Sequence, residues 1–321
     1  MTKPQFVAAI WTVLALVACS GAPKTESAES SPQLQGPYMG QPAPGDIPQV
    51  FAPDFISAVG NEGSLVFLPG GREAYFHNVE PSPDGGPPHV AIMVTKEVDG
   101  KWTAPEVAQF SRVHTNMYPS IHPDGSRLFF QSDRPIDPTE SEFEYNIWYV
   151  DREKDSWSEP KSIGRPVNGR NNTGGASVTL DGTLYFTVMD MEGPQELYRS
   201  EFHNGSYGEP VRLPRQVNAA VQQFDSYVSP DESFLIFYAM AGRGGHGASG
   251  GLAVAFRDEH GTWGATKDLG SLFNSGDRTG TATISPDGRY VFFSQPDPES
   301  GTDMDVFWVD AGVVRRMNEG R

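Results

Sequence analysis

Ser120-Ile121-His122-Pro123-Asp124-Gly125, with Leu128-Phe129-Phe130 close behind, reads as a strand running into a tight turn and out into a second, aromatic strand. Proline presets φ for the turn, aspartate bonds to nearby backbone N–H groups, and glycine takes the positive φ. The pattern returns from Ser177 to Gly182 before Leu184-Tyr185-Phe186, and from Tyr227 to Glu232 before Leu235-Ile236-Phe237. It returns again from Thr283 to Gly288 before Val291-Phe292-Phe293, and a weaker copy, Val66 to Gly71 before Ala74-Tyr75-Phe76, opens the series. Anchored on Gly70, Asp124, Asp181, Asp231 and Asp287, the copies lie 54, 57, 50 and 56 residues apart. Such a period has room for four short strands, the size of a propeller blade.

Around this nucleus the rest of each repeat falls into place. A third strand is expected at Val90 to Val94, Ile147 to Val150, Leu197-Tyr198, Leu252 to Phe256 and Val306 to Val309. A fourth is expected to begin at an aromatic residue with a proline three positions on: Trp102 and Pro105, Trp157 and Pro160, Tyr207 and Pro210, then Trp263 without the proline. Proline there fits an edge strand, where a missing N–H does no harm. Repeats two to four close on Val167-Asn168, Val217-Asn218 and Phe273-Asn274. A four-stranded sheet of this kind is apolar on both faces, and stacking neighbours around an axis buries them.

The last repeat ends soon after its third strand, at Val309-Asp310, and the stretch from Ile47 to Pro53 resembles the start of a fourth-strand region. The expected fold is therefore all-β. It is a β-propeller of four-stranded blades over residues 49–315, its ring closed by an N-terminal strand, with residues 316–321 left as a tail. Five blades is the direct count; a sixth would need a blade for which no residues are evident.

The 321 residues carry 24 Lys and Arg against 41 Asp and Glu, a formal charge of −17. Such an acidic chain repels phosphate backbones, which argues against nucleic acid as a partner. It equally argues against charge-driven docking on an anionic membrane. The one cysteine, Cys19, excludes an internal disulfide and a cysteine metal site. Lys3 precedes an apolar run from Phe6 to Val17, too short for an ordinary membrane-spanning helix. The run ends in Leu16-Val17-Ala18-Cys19-Ser20, which resembles the lipobox of bacterial lipoproteins. The resemblance implies a signal peptide over residues 1–18, lipidation at Cys19 with cleavage before it, and, with Ser20 following, the outer membrane. Residues 19–48, rich in Ser, Pro, Gly and Glu, are expected to form a flexible tether.

The repeats themselves resemble the WD40-like Pro-Asp propeller repeat of the TolB-type propellers and many periplasmic lipoproteins. The likeness rests on the Pro-Asp-Gly first strands, the aromatic pairs that follow, Asp305-Val306-Phe307-Trp308-Val309 and the Trp-x-x-Pro segments. It implies the fold across the whole globule and says little of function, because such families are defined by their blades. Relatives often carry an acid six residues before the repeat aspartate, near the channel mouth. Here those positions hold Ser64, Tyr118, Gly175, Asp225 and Thr281, so a carboxylate ring around a central cation is not expected.

The chemistry-bearing residues are sparse. Asp124, Asp181, Asp231 and Asp287 are explained by turn geometry without calcium. The seven histidines show no metal-ligand spacing, and neither a metal nor a cofactor is expected. The Gly242 to Gly251 stretch lacks the helix that a phosphate cradle requires. The expectation is a non-catalytic, lipid-anchored module, facing the periplasm or the cell surface, that binds an envelope protein or glycan. Its binding face is expected to include Tyr118, His122, Asp225 and Arg278. The alternative is a carbohydrate-active hydrolase or lyase that uses funnel carboxylates, for which Glu62 and Asp225 are the candidates.

Overall fold

The computed structural model describes residues 34–58, 60–80, 89–137, 144–169, 172–189, 193–240, 250–275, 279–297 and 303–319. Cys19 and the expected signal peptide lie outside the described residues, as does Arg278. The described strands form five antiparallel units, the third and fourth joined into one sheet by a single parallel pair, Gln195 with Gln222. The first comprises Glu62–Phe67, Glu73–Glu80, His89–Val98 and Glu106–Val107; the second Asn116–Ile121, Arg127–Ser132, Asn146–Glu153 and Lys161–Ser162. The third comprises Asn172–Val178, Leu184–Met189, Gln195–Ser200 and Val211–Arg212; the fourth Gln222–Val228, Phe234–Met240, Gly250–Phe256 and Lys267–Asp268. The fifth takes Gly280–Ile284, Tyr290–Pro296 and Met304–Asp310 from the end of the chain and Gln49–Val50 from its beginning. There Gln49 faces Trp308 and Val50 faces Phe307, antiparallel, which closes the ring as expected.

The core is divided among the seams between blades. Phe129, Ile147, Leu184 and Phe186 fill the seam between blades two and three, and Tyr185, Leu197, Leu235 and Phe237 the next. Phe51, Phe67, Phe292 and Trp308 fill the seam where the two chain ends meet. Each such side chain is worth about 1.5–3 kcal/mol when fully buried, so stacking accounts for the repeated aromatic pairs.

A second device recurs at each blade. Asn168 accepts the N–H of Ile147 at 3.0 Å and donates to its carbonyl at 2.8 Å. Asn218 does the same at Leu197, at 2.9 and 3.1 Å, and Asn274 at Leu252, at 2.8 and 3.0 Å. The carboxamide thus stands in for a peptide group of the outer strand. Blade one uses Ser111, whose hydroxyl accepts from Ile92 N at 2.8 Å. In blade five Ser57, contributed by the N-terminal segment, accepts from Val306 N at 3.0 Å and donates to Val306 O at 3.2 Å.

Three expectations need correction. The aromatic residues do not begin the outer strands: Trp102, Trp157 and Tyr207 lie in tight hairpins off the third strands, pairing with Glu97, Arg152 and Phe202. The left-handed pairs Asp99-Gly100 and Asn204-Gly205 supply two of the hairpin turns. The outer strands start after Pro105, Pro160 and Pro210 and are two residues long. Residues 34–48 are not a free tether. They form a strap on the Pro–Asp end of the propeller, with Met39 only 1% exposed and Tyr38 N donating to Gly71 O at 2.9 Å. The tail expected from residue 316 is the second half of a short helix, Gly312–Asn318, whose Val313 and Val314 pack under blade five.

Candidate functional site

In all five first strands the pairing register slips near the start, between Gly63 and Val66, Met117 and Ser120, Gly174 and Ser177, Phe224 and Tyr227, and Gly280 and Ala282. Each bulge puts one residue in the left-handed region: Ser64, Tyr118, Gly175, Asp225 and Thr281, with φ of 52, 54, 56, 55 and 29°. For the four that are not glycine this costs roughly 1–3 kcal/mol apiece, strain of a kind that gathers at functional sites. These five side-chain positions form a ring in the wall of the central channel, a cavity of about 140 Å³ that runs on to the Pro–Asp turns.

The ring is stitched from blade to blade. Ser64 N donates to Thr281 Oγ1 at 3.0 Å, and Thr281 Oγ1 meets Ser294 Oγ at 3.1 Å. Tyr118 N donates to His77 Nδ1 at 3.4 Å, and the two rings meet edge to face at 5.2 Å. Gly175 separates Tyr118 from Asp225. A Cβ on Gly175 would come within 3.0 Å of Asp225 N and 3.1 Å of Asp225 Oδ1, so the glycine is what lets Asp225 sit there.

Asp225 is the one carboxylate lining the channel among the described residues. Burial pushes its carboxyl up to about 7. The Asp225 carboxylate, and then burial, hold the Tyr118 hydroxyl well above its ordinary range. Burial holds His77 down to about 4, so it is a neutral imidazole. Glu62, the other candidate carboxylate, is not in the channel wall. It lies 3% exposed near the seam of blades five and one, and its Oε2 has no hydrogen-bond partner. Burial and the nearby Asp305 push its carboxyl up to about 8, while burial, Asp297 and Asp303 push Asp305 up to about 6.

Tyr118 and Asp225 come together, and His122 lines the same cavity from the opposite end of its strand. It opens the Pro–Asp turn, where its Nδ1 is 2.7 Å from Asp124 Oδ1. The expectation that it shares the face formed by the loops before the first strands is therefore corrected. The repeat aspartates act inside their turns: Asp124, Asp181, Asp231 and Asp287 accept the N–H of Ser126, Thr183, Ser233 and Arg289 at 2.8–3.1 Å. Among the described residues no group of three or more His, Cys, Asp or Glu side chains is placed to hold a metal ion.

The sequence reading passed over His77 and Ser294. Both follow the aromatic pair of a second strand directly, as Gln131 and Thr187 do in blades two and three. That shared register, a polar residue after the pair, was the signal that could have found them.

No protein-family model and no curated protein sequence matches the chain. Solved structures do. An endo-arabinase from Bacteroides thetaiotaomicron aligns at TM-score 0.50 and 16% identity, over 78% of this chain and 94% of its own. A GH43 endo-arabinanase from Bacillus licheniformis aligns at 0.48 and 12%, over 80% and 96%. The β-propeller domain of a trilobed protease from Pyrococcus furiosus aligns at 0.37 and 12%, over 78% and 69%. The first likeness shows a β-propeller. The expectation of a non-catalytic module is corrected at this point: the structure that shares the fold at TM-score 0.50 is named an endo-arabinase. The channel wall carries one carboxyl, Asp225, that burial raises well above the ordinary carboxylate range.

Proposed function

We propose that this protein is a carbohydrate-active hydrolase, lipid-anchored to the bacterial envelope through Cys19, with its reacting centre at the bulge ring. The observation that carries this is Asp225, a carboxyl in the channel wall whose proton affinity burial has matched to neutral pH. A general acid or base works best when its pKa lies near the working pH, and glycosidic cleavage requires such a group beside the leaving oxygen. Among the described residues no second carboxyl lines the channel: Glu62 and Asp305 lie off it, at the seam of blades five and one, so the reading rests on Asp225 as the acid or base. The endo-arabinase likeness supports arabinan as the first polymer to try. The WD40-like Pro-Asp repeats and the lipobox support an exported, anchored member of the Pro-Asp propeller lipoproteins.

One observation favours a second reading, eliminative cleavage of a uronate polymer: Tyr118 stands beside Asp225 while Glu62 is withdrawn from the channel. The test is release of reducing ends from arabinan, other neutral polysaccharides and uronate polymers, with ultraviolet absorbance of the products followed in parallel. Hydrolysis gives reducing ends without absorbance; elimination gives both. Asp225→Asn is expected to lower either rate about 100-fold or more. Folded protein that cleaves none of the polymers, or an Asp225→Asn variant as fast as the parent, refutes the assignment.

A further inference from the structure

We infer that the anchored protein holds its Pro–Asp end towards the bilayer and its Asp225 end away from it, so that its substrate is a polymer reached from the aqueous side rather than a glycan joined to a lipid of the same bilayer. The inference rests on the anchoring at Cys19 proposed above and extends it to the direction in which the site faces.

The take-off point of the N-terminal chain is fixed by the strap. Leu34 O accepts Trp102 N at 3.0 Å, Gly36 O accepts Trp102 Nε1 at 2.9 Å, and Gly36 N donates to Glu97 Oε1 at 3.0 Å. Gly36, Tyr38, Met39 and Gly40 all have positive φ, a conformation that is free for glycine but costly for Tyr38 and Met39 and is maintained by their docking. Tyr38 packs edge-on against Phe67 and Tyr290, 5.1 and 5.4 Å between centroids. Every one of these contacts is at the end of the propeller that carries the Pro–Asp turns. The bulge ring is at the other end, a first strand away, about 20 Å at 3.3 Å per residue.

From Cys19 to Leu34 the chain has fifteen steps, which span at most about 50 Å. An inverted propeller would spend about 20 Å of that maximum reach merely in running past the blade.

The test uses the full lipidated chain added to preformed vesicles of zwitterionic and anionic lipids that carry a headgroup quencher. Single fluorophores are attached at Asp99→Cys, in an exposed hairpin at the strap end, and at Val113→Cys, 80% exposed at the site end. Quenching several-fold stronger at position 99 is the expected result. Equal or reversed quenching on vesicles that still float the protein overturns the orientation while leaving the anchor standing. Protein that fails to float, as Cys19→Ser is expected to, overturns the anchor and the orientation with it. Cleavage of soluble polymer, measured in the same samples, reports on the hydrolase assignment separately.

Discussion

Replacing Asn168 by alanine tests whether a side-chain amide serves as part of the outer strand. The native carboxamide makes four hydrogen bonds, to Ile147 N at 3.0 Å, Ile147 O at 2.8 Å, Ser162 Oγ at 3.1 Å and Thr173 Oγ1 at 3.1 Å. Ile147 O keeps a second donor, Ile163 N at 3.2 Å, so its loss is partial. Ile147 N–H and the Thr173 hydroxyl lose this acceptor in a seam where both residues are 0% exposed. A buried polar group left without a partner costs about 1–3 kcal/mol, which makes the expected destabilisation about 2–5 kcal/mol. Urea unfolding monitored by tryptophan fluorescence measures it, with the m-value unchanged. Asn168→Asp refines the test. The charged form still accepts from Ile147 N–H but turns a lone pair on Ile147 O and buries a charge, so it is expected to be at least as damaging at neutral pH and to recover as acid protonates it. An alanine variant within about 0.5 kcal/mol of the parent, the level of an ordinary surface change, refutes the strand-mimic reading.

Gly175→Ala brings a methyl group to within 3.0–3.1 Å of Asp225 on a backbone at φ 56°, so cleavage is expected to fall well before unfolding does; activity lost only in proportion to stability refutes the spacer role. Glu62 has a folded pKa of about 8, above its unfolded value, so its contribution is fully present below the unfolded pKa and lost as pH rises through 8. Glu62→Gln is therefore expected to match the parent near pH 4 and exceed it above pH 8 by up to a few kcal/mol in urea unfolding, and a gain independent of pH refutes this.

The blades were legible because their signals are local: Pro-Asp-Gly fixes a turn, and Phe129-Phe130 or Phe292-Phe293 marks the strand that follows. The closure by Ile47 to Pro53 was legible by subtraction, since the last repeat was one strand short. The ring positions were legible too, as the places six residues before each repeat aspartate. What the sequence withheld depends on direction. Glu62 and Asp225 both stand near the starts of first strands, yet the bulge turns Asp225 into the channel while Glu62, two places before Ser64, faces a seam. Val217-Asn218 could be seen to recur, but only the fold shows that the asparagine grips Leu197. Tyr38 and Met39 read as part of a tether because nothing in the Gln35-Gly36-Pro37 context announces that a left-handed run will dock under Phe67.

Ser57 and Val306, 249 residues apart, are partners in a blade that belongs to both ends of the chain. The first β-segment of the propeller to leave the ribosome, Gln49–Val50, thus has no strand to pair with until Trp308 has been made. A chain cut short before that residue keeps an open seam, in which Phe51 lacks the Trp308 ring it meets at 5.1 Å. Late completion of this kind makes length itself the checkpoint: a nascent or clipped molecule displays an unmated sheet edge, and only the finished one hides it.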